Sequence, residues 1–323
     1  MATERHPQHN RAFMMLVLAT IYWGLTFPQI KSLLLIQARI LPPGSGWFST
    51  VYVVAPRYLL ATLILIAVQG RKAFDLRRGE LIQGTVIALF ASAGMLFQND
   101  GLGYTAASTS AFLTQFYAIM IPIWLALRHR RNPGWLVWIS CVLVLIGVSI
   151  LGHFDWRTLH FGRGEWETLV ASTFFMGQIL WLDKKEYAEN RPEKITLVLF
   201  AIEAVIFCLL AGVTAPSLDA FAAPWRSPVW IGFTLVLTLL GTIGAYSIMN
   251  RWQPKLSATE AGLIYCIEPI FGSVMAIFLP ALFSMWAAID YPNEKATWTL
   301  VAGGGLITVA NILIQLKPAQ KRV

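Results

Sequence analysis

Four charged side chains stand inside long apolar runs. Arg57 lies in VYVVAPRYLLATLILIAV, Glu203 in LVLFAIEAVIFCLL, and Glu260 and Glu268 in SATEAGLIYCIEPIF. A carboxylate in such a place can hold a cation, accept hydrogen bonds, or load and release a proton. A guanidinium can bind a carboxylate or neutralise one. In apolar surroundings each charge costs about 2.5–3.5 kcal/mol, so these residues belong inside a bundle of helices. Glu268 is followed by Pro269, which has no N–H and disrupts the bond to the carbonyl of Tyr265. A carbonyl freed at membrane depth needs protein or water around it. Glu268 and the Pro269 kink therefore point to one polar interior.

The structural alternative is that Glu268 pairs with Arg57, or bonds to backbone, and only stabilises the kink. Arg57 and Glu203 lie 146 residues apart on corresponding runs and read as a structural pair or a coupling element. Glu260 lies near the end of its run, where water could solvate it. If Glu268 exchanges protons in a wet cavity, it is a candidate for proton coupling.

Other polar residues at depth are Gln98, Asn99, Gln115, Gln178, Tyr246, Asn250 and Tyr265. Ala111, Gln115, Ala118 and Pro122 share one helical face, and Ala258, Gly262, Tyr265 and Pro269 repeat that spacing. The small residues suit close helix packing; Gln115 and Tyr265 suit a cavity wall. Trp23, Phe97, Tyr117 and Trp181 could add flat apolar walls.

The elements that position these residues follow from the composition. Of 323 residues, 56% are hydrophobic and only 13% charged, against about 25% charged in a soluble domain. A helix crossing a bilayer needs about 20 mostly apolar residues. Ten candidates lie near 12–36, 48–68, 81–99, 104–127, 135–152, 165–183, 195–214, 229–250, 256–282 and 298–316. Pro28 and Lys31 interrupt the first, and no small-residue cleavage pattern follows it, so it reads as a retained span. Of the 25 Lys and Arg, 18 fall on the segments that share a side with both termini, six on the opposite loops, and Arg57 within a span. That excess places both termini in the cytoplasm. The net charge of +8 is thus an orientation signal and does not point to nucleic acid.

The halves resemble each other. Laying Ser110-Ala111 on Ser257-Ala258, an offset of 147, brings Pro122 onto Pro269. LATIYWG (18–24) resembles VASTFFMG (170–177) at an offset of 153. Five spans per half make the halves inverted in the membrane, a recurring transporter plan with the site at the repeat interface. The expected organisation is a cytoplasmic tail (1–11), a five-helix repeat (12–152), an extracytoplasmic linker (153–164), a second repeat (165–316) and a cytoplasmic tail (317–323). The expected fold class is an all-α integral membrane protein of ten transmembrane helices.

SATEAGLIYCIEPIF resembles the second-repeat signature of the EamA-domain branch of the drug/metabolite transporter superfamily. Tyr22-Trp23-Gly24 and Arg57-Tyr58 fit the same pattern, over roughly residues 12 to 316. The first-half counterpart departs from it, with Ile121 where the glutamate would precede the proline. The resemblance implies a secondary transporter with a central cavity lined by both repeats, often an exporter of small organic metabolites.

No phosphate loop, HExxH, nucleotide fingerprint or metal-ligand cluster occurs, and the glycines 303–305 read as close packing. Neither a cofactor, a metal nor a catalytic residue is expected, and the chain is not read as an enzyme. Any pumping must then draw on a proton, ion or substrate gradient. The leading reading is an exporter, in the plasma or inner membrane, of amino acids or related amphipathic compounds. A passive facilitator is one alternative. A membrane enzyme acting on lipids is another, with His153, Asp155 and His160 the nearest approach to a catalytic cluster.

Overall fold

The computed structural model describes residues 7–130, 134–151 and 162–315. Among these the chain is all α. The first half holds α1 (Pro7–Ile40), α2 (Gly46–Gln69), α3 (Arg78–Tyr104), α4 (Ala107–Thr114), α5 (Tyr117–His129) and α6 (Trp135–Leu151). The second holds α7 (Arg163–Leu182), α8 (Pro192–Thr214), α9 (Asp219–Ala222), α10 (Pro228–Val236), α11 (Ala245–Trp252), α12 (Ala258–Tyr265), α13 (Glu268–Ala287) and α14 (Trp298–Gln315). Among the described residues, seven helical stretches are long and apolar enough to cross a membrane, and two shorter apolar helices lie within α6 and α14. The chain is built as a multi-pass membrane protein.

Turn chemistry sets the helix ends. α1 stops before Pro42-Pro43, and Gly44 takes a positive φ of 88° to reverse the chain. α8 and α10 each open with a proline in the first turn, where its missing N–H is needed least. Contrary to expectation, α1 runs unbroken through Pro28 and Lys31. The carbonyl of Pro28 accepts from Ser32 Oγ at 2.9 Å, and the Lys31 ammonium leaves the helix to donate to the carbonyl of Thr105.

Spans predicted as continuous over 104–127 and 256–282 are each broken. α4 and α5 are separated by Gln115 and Phe116, whose N–H groups reach back three residues to Phe112 and Leu113 at 3.1 Å each. α12 and α13 are separated by Cys266 and Ile267, with the Ile267 N–H on the Ile264 carbonyl at 3.0 Å. Pro269 is therefore not a kink inside one helix but stands in the first turn of α13. Pro122 lies well inside α5, so the first break is not at its proline. The breaks lie 151 residues apart (266 − 115), one turn from the sequence offset of 147. Between α10 and α11 a π-helical stretch, Leu237–Gly244, widens the ladder.

Packing follows small residues. α1 lies on α13, α2 on α8, α3 on α7, and α6 on α14. A Cβ on Gly147 would sit 2.7 Å from the Gly303 carbonyl, and one on Gly304 would strike the Phe112 ring at 2.7 Å. Gly303 and Gly304 of α14 thus permit close contact, as read from sequence, whereas Gly305 has open space beside it. Large apolar side chains such as Leu63, Val142, Leu209 and Phe278 cover the outside of the bundle. Trp135 and Trp298, at the starts of their helices, are likewise exposed, which suits a membrane interface. The 153–161 segment with His153, Asp155 and His160, and the tails 1–6 and 316–323, lie outside the described residues.

Candidate functional site

A cavity lies among α1, α2, α3, α4, α5, α7, α11, α12 and α13. Trp23, Thr26, Phe27 and Ile30 recur at steps of three, one and three and give it one face of α1. Arg57 enters from α2; Met95, Gln98 and Asn99 from α3; Thr114 and Tyr117 flank the α4–α5 break. From the second half come Phe175, Gln178 and Ile179 of α7, Tyr246 and Met249 of α11, and Tyr265 and Glu268 across the α12–α13 break. Its volume is about 70 Å³, room for roughly two waters at about 30 Å³ each.

The aromatic wall is rigid. Trp23 meets Tyr246 and Tyr265 edge to face, with ring centroids 5.5 and 5.4 Å away. Tyr265 donates to Gln253 Oε1 at 2.9 Å, and Gln253 Nε2 donates to the Ile179 carbonyl at 3.0 Å. Gln98 donates to Thr114 Oγ1 at 2.8 Å. A satisfied shell of this kind fixes the rotamers behind the wall.

The wall itself is under-satisfied. Arg57 is 2% exposed. Its Nη2 is 3.3 Å from the Tyr58 hydroxyl and 3.5 Å from Met95 Sδ, while Nε and Nη1 have no protein partner. Asn99 Nδ2 and Gln178 Nε2 are likewise unpartnered. Leaving a buried donor unmade costs about 1–3 kcal/mol, more for a charged one, so these groups suit water or a polar guest. Glu268 begins α13, where the helix dipole favours a carboxylate. It forms no ion pair with Arg57, although both line the same cavity.

Gln115 does not line the cavity. It is fully buried near Glu268 and Tyr117, and neither amide atom has hydrogen-bond geometry to a partner. Glu203 is also fully buried, beside Tyr58 and Tyr246, with Arg57 the cation nearest it. The two do not come within ion-pair distance, and neither Glu203 oxygen has a donor. Glu260 belongs elsewhere: it caps α12 by accepting from Ser257 N and Oγ at 2.9 Å each, and meets His9 at 3.4 Å. Serine followed three residues later by glutamate is a capping box, and the hydrogen bonds of Glu260 are those of a helix cap. Phe97 stacks on Phe174 at 6.0 Å and Trp181 packs on Lys184 and Tyr187, away from the cavity.

Sequence reasoning missed Thr26, Phe27, Ile30, Met95, Thr114, Phe175, Ile179 and Met249 as wall residues. For Thr26, Phe27, Ile30, Phe175 and Ile179 the available signal is helical spacing from Trp23 on α1 and Gln178 on α7; Met95, Thr114 and Met249 lie on α3, α4 and α11. Glu-Pro as a helix start, with an acid and a proline in the first turn, is the signal for the second break.

Two charge networks tie the helices on either side of the cavity. Arg163 of α7 pairs with Asp100 at 2.5 Å and Glu167 at 2.8 Å, and Thr50 donates to Asp100 at 3.0 Å. At the other end Arg191, before α8, pairs with Glu80 at 2.6 Å and Asp75 at 2.8 Å.

Comparison with known proteins adds to this geometry. Two proteins of Archaeoglobus fulgidus, each named an uncharacterized transporter, are similar to the chain. One is 25% identical over 312 residues, covering 94% of this chain and 85% of that protein. The other is 23% identical over 317 residues, covering 95% and 97%. A protein of solved crystal structure shares the fold, with a TM-score of 0.63 at 13% identity, over 95% of this chain and 97% of that one. The first half matches the EamA-like transporter family, and residues 10–152 of this chain are thus an EamA-family domain.

Proposed function

We propose that the chain is a secondary transporter that exports small organic metabolites, amino acids or related amphipathic compounds, by alternating access through the cavity. Taking α4 with α5, α10 with α11, and α12 with α13, and setting aside the short α9, gives ten crossings in two groups of five. The packing supports an inverted relation between them. α2 lies against α8 and α6 against α14, and each pair joins corresponding members of the two groups. Both termini then lie on the cytoplasmic side of the plasma or inner membrane.

The observation that carries the reading is the cavity's paired but unjoined charge. Arg57 and Glu268 line one space without neutralising each other, and Trp23, Tyr246 and Tyr265 line it with them. A zwitterion with an apolar part matches that wall: its carboxylate would take the free Arg57 donors, its ammonium the Glu268 carboxylate. The present volume is too small for such a cargo, so loading requires the helices to part, as alternating access supplies.

Efflux from proteoliposomes, loaded with labelled amino acids, nucleosides or organic cations in turn, tests the reading. Wild type should show efflux accelerated by cargo on the opposite side, and Glu268→Gln should lose at least tenfold in rate for zwitterions. Flux without acceleration would make the chain a passive facilitator. Flux insensitive to both Glu268→Gln and Arg57→Met would remove the cavity from the mechanism. Glu268 is also the proposed proton carrier; if so, a pH gradient should drive flux in wild type and not in Glu268→Gln.

A further inference from the structure

Pro280 stands inside α13, where its ring removes the N–H that would satisfy the carbonyl of Ala276. The donor that reaches that carbonyl is the backbone N–H of Glu294, at 3.0 Å, from the segment joining α13 to α14. The same segment is fastened at two further points. Asn293 Oδ1 accepts from Ala281 N at 2.7 Å, and Ser284 Oγ both donates to the Tyr291 carbonyl at 2.7 Å and accepts from its N–H at 3.0 Å. Tyr291 is buried there. Residues 291–294 therefore form a strap seated in the notch that the proline opens.

From this strap the Glu294 side chain crosses to the other half of the chain. It accepts from Ala107 N at 3.0 Å and Ser108 N at 3.4 Å, and from the Ser108 hydroxyl, so a second-half residue caps α4. Beside it Lys31 of α1 donates to the carbonyl of Thr105, just before α4, and is the cation whose charge faces Glu294. α1, α4 and α13 are thus joined at one end, and each contributes to the cavity wall through Trp23, Thr114 and Glu268. The cavity cannot open between α4 and α13 at that end unless Glu294 releases α4.

We propose that residues 291–294 are a latch that holds the cavity shut at the end bearing the α13–α14 connection. Release of Glu294 from Ala107 and Ser108 frees α4 to swing from α13. The proposal uses the transporter reading only for the cavity's need to open, and it is testable without any cargo.

The test places a reporter cysteine in the wall, Gln98→Cys, with Cys141, Cys208 and Cys266 replaced by serine. The rate of labelling by a membrane-impermeant maleimide is measured from each face of proteoliposomes. Losing hydrogen bonds to a charged group changes an equilibrium by about tenfold or more, so Glu294→Ala should speed labelling about tenfold from the latch face only. Glu294→Gln, which keeps an acceptor, should give a smaller rise. Pro280→Ala restores an in-helix donor for the Ala276 carbonyl and should displace the strap, giving the same one-sided rise without touching α4. Unchanged labelling in Glu294→Ala and Pro280→Ala, or an equal rise from both faces, would overturn the latch. Either result leaves the transport reading standing, since flux through the cavity is measured separately.

Discussion

Replacing Gly24 by alanine tests whether the wall of the cavity depends on the close approach of α1 to α13. A Cβ there would lie 2.8 Å from the Gly272 backbone nitrogen, 2.8 Å from Phe271 Cβ and 3.2 Å from the Glu268 carbonyl. Ordinary contact begins at 3.4 Å, so the helices must part by about 0.6 Å (3.4 − 2.8), and backbone cannot swing aside as a side chain can. Overpacking of this kind costs about 1–3 kcal/mol. The facing glycine supplies the control. A Cβ on Gly272 would make only ordinary contact, 3.4 Å from Ala111 Cβ. Both substitutions gain about 1 kcal/mol of helix propensity, which cancels when the two variants are compared. Thermal denaturation in detergent should then show Gly272→Ala at or slightly above wild type. Gly24→Ala should melt several degrees lower, by the strain alone. Because Trp23 adjoins the moved segment and packs on Tyr246 and Tyr265, the Gly24 variant should also bind cargo more weakly. Equal melting of the two variants would mean that α1 and α13 are not held at this separation.

Glu260→Ala should lower stability by about 1 kcal/mol through loss of the α12 cap, while Glu260→Gln, which can still serve a capping box, should melt close to wild type. In both, flux per folded molecule should keep its dependence on the pH gradient; loss of that dependence would return Glu260 to the coupling machinery. Hydrogen bonds from Arg191 hold the Asp75 carboxyl below its ordinary value of 3.8. A carboxylate with a depressed folded-state value stabilises fully above the unfolded value of about 3.9 and loses that contribution as pH falls through the folded value. Asp75→Asn should therefore melt lower than wild type at neutral pH by a small margin, because the pair is exposed. The margin should close as pH falls through the depressed folded-state value; a deficit independent of pH would show that the charge is not its source.

The sequence by itself determined the solvent and the helices. Half the usual charge and repeated apolar runs point to lipid, so helices appear under those runs; α7 is a helix as expected, but it is not among the stretches apolar enough by themselves to cross a membrane. It also pointed to which charges are interior: Arg57 and Glu203 by the cost of a charge inside an apolar run, and Glu268 because a short carboxylate at its depth cannot reach water along a lipid face. Glu260 was ambiguous for the same reason: near a helix end, burial and capping look alike in a linear pattern. Where the long spans break is settled only on packing, since a residue's backbone partner can be supplied by a segment outside its own helix. Pro269 begins a helix, Pro28 is passed over, and Pro280 is answered by Glu294 from fourteen residues away. Packing alone decided, too, that Gln115 and Glu203 sit behind the wall while Arg57 and Glu268 stand on it unpaired. Helical periodicity gives each residue a direction on its own helix, but the rotation of one helix against another is set by contacts such as Gly24 on Gly272, distant in sequence and adjacent only after packing.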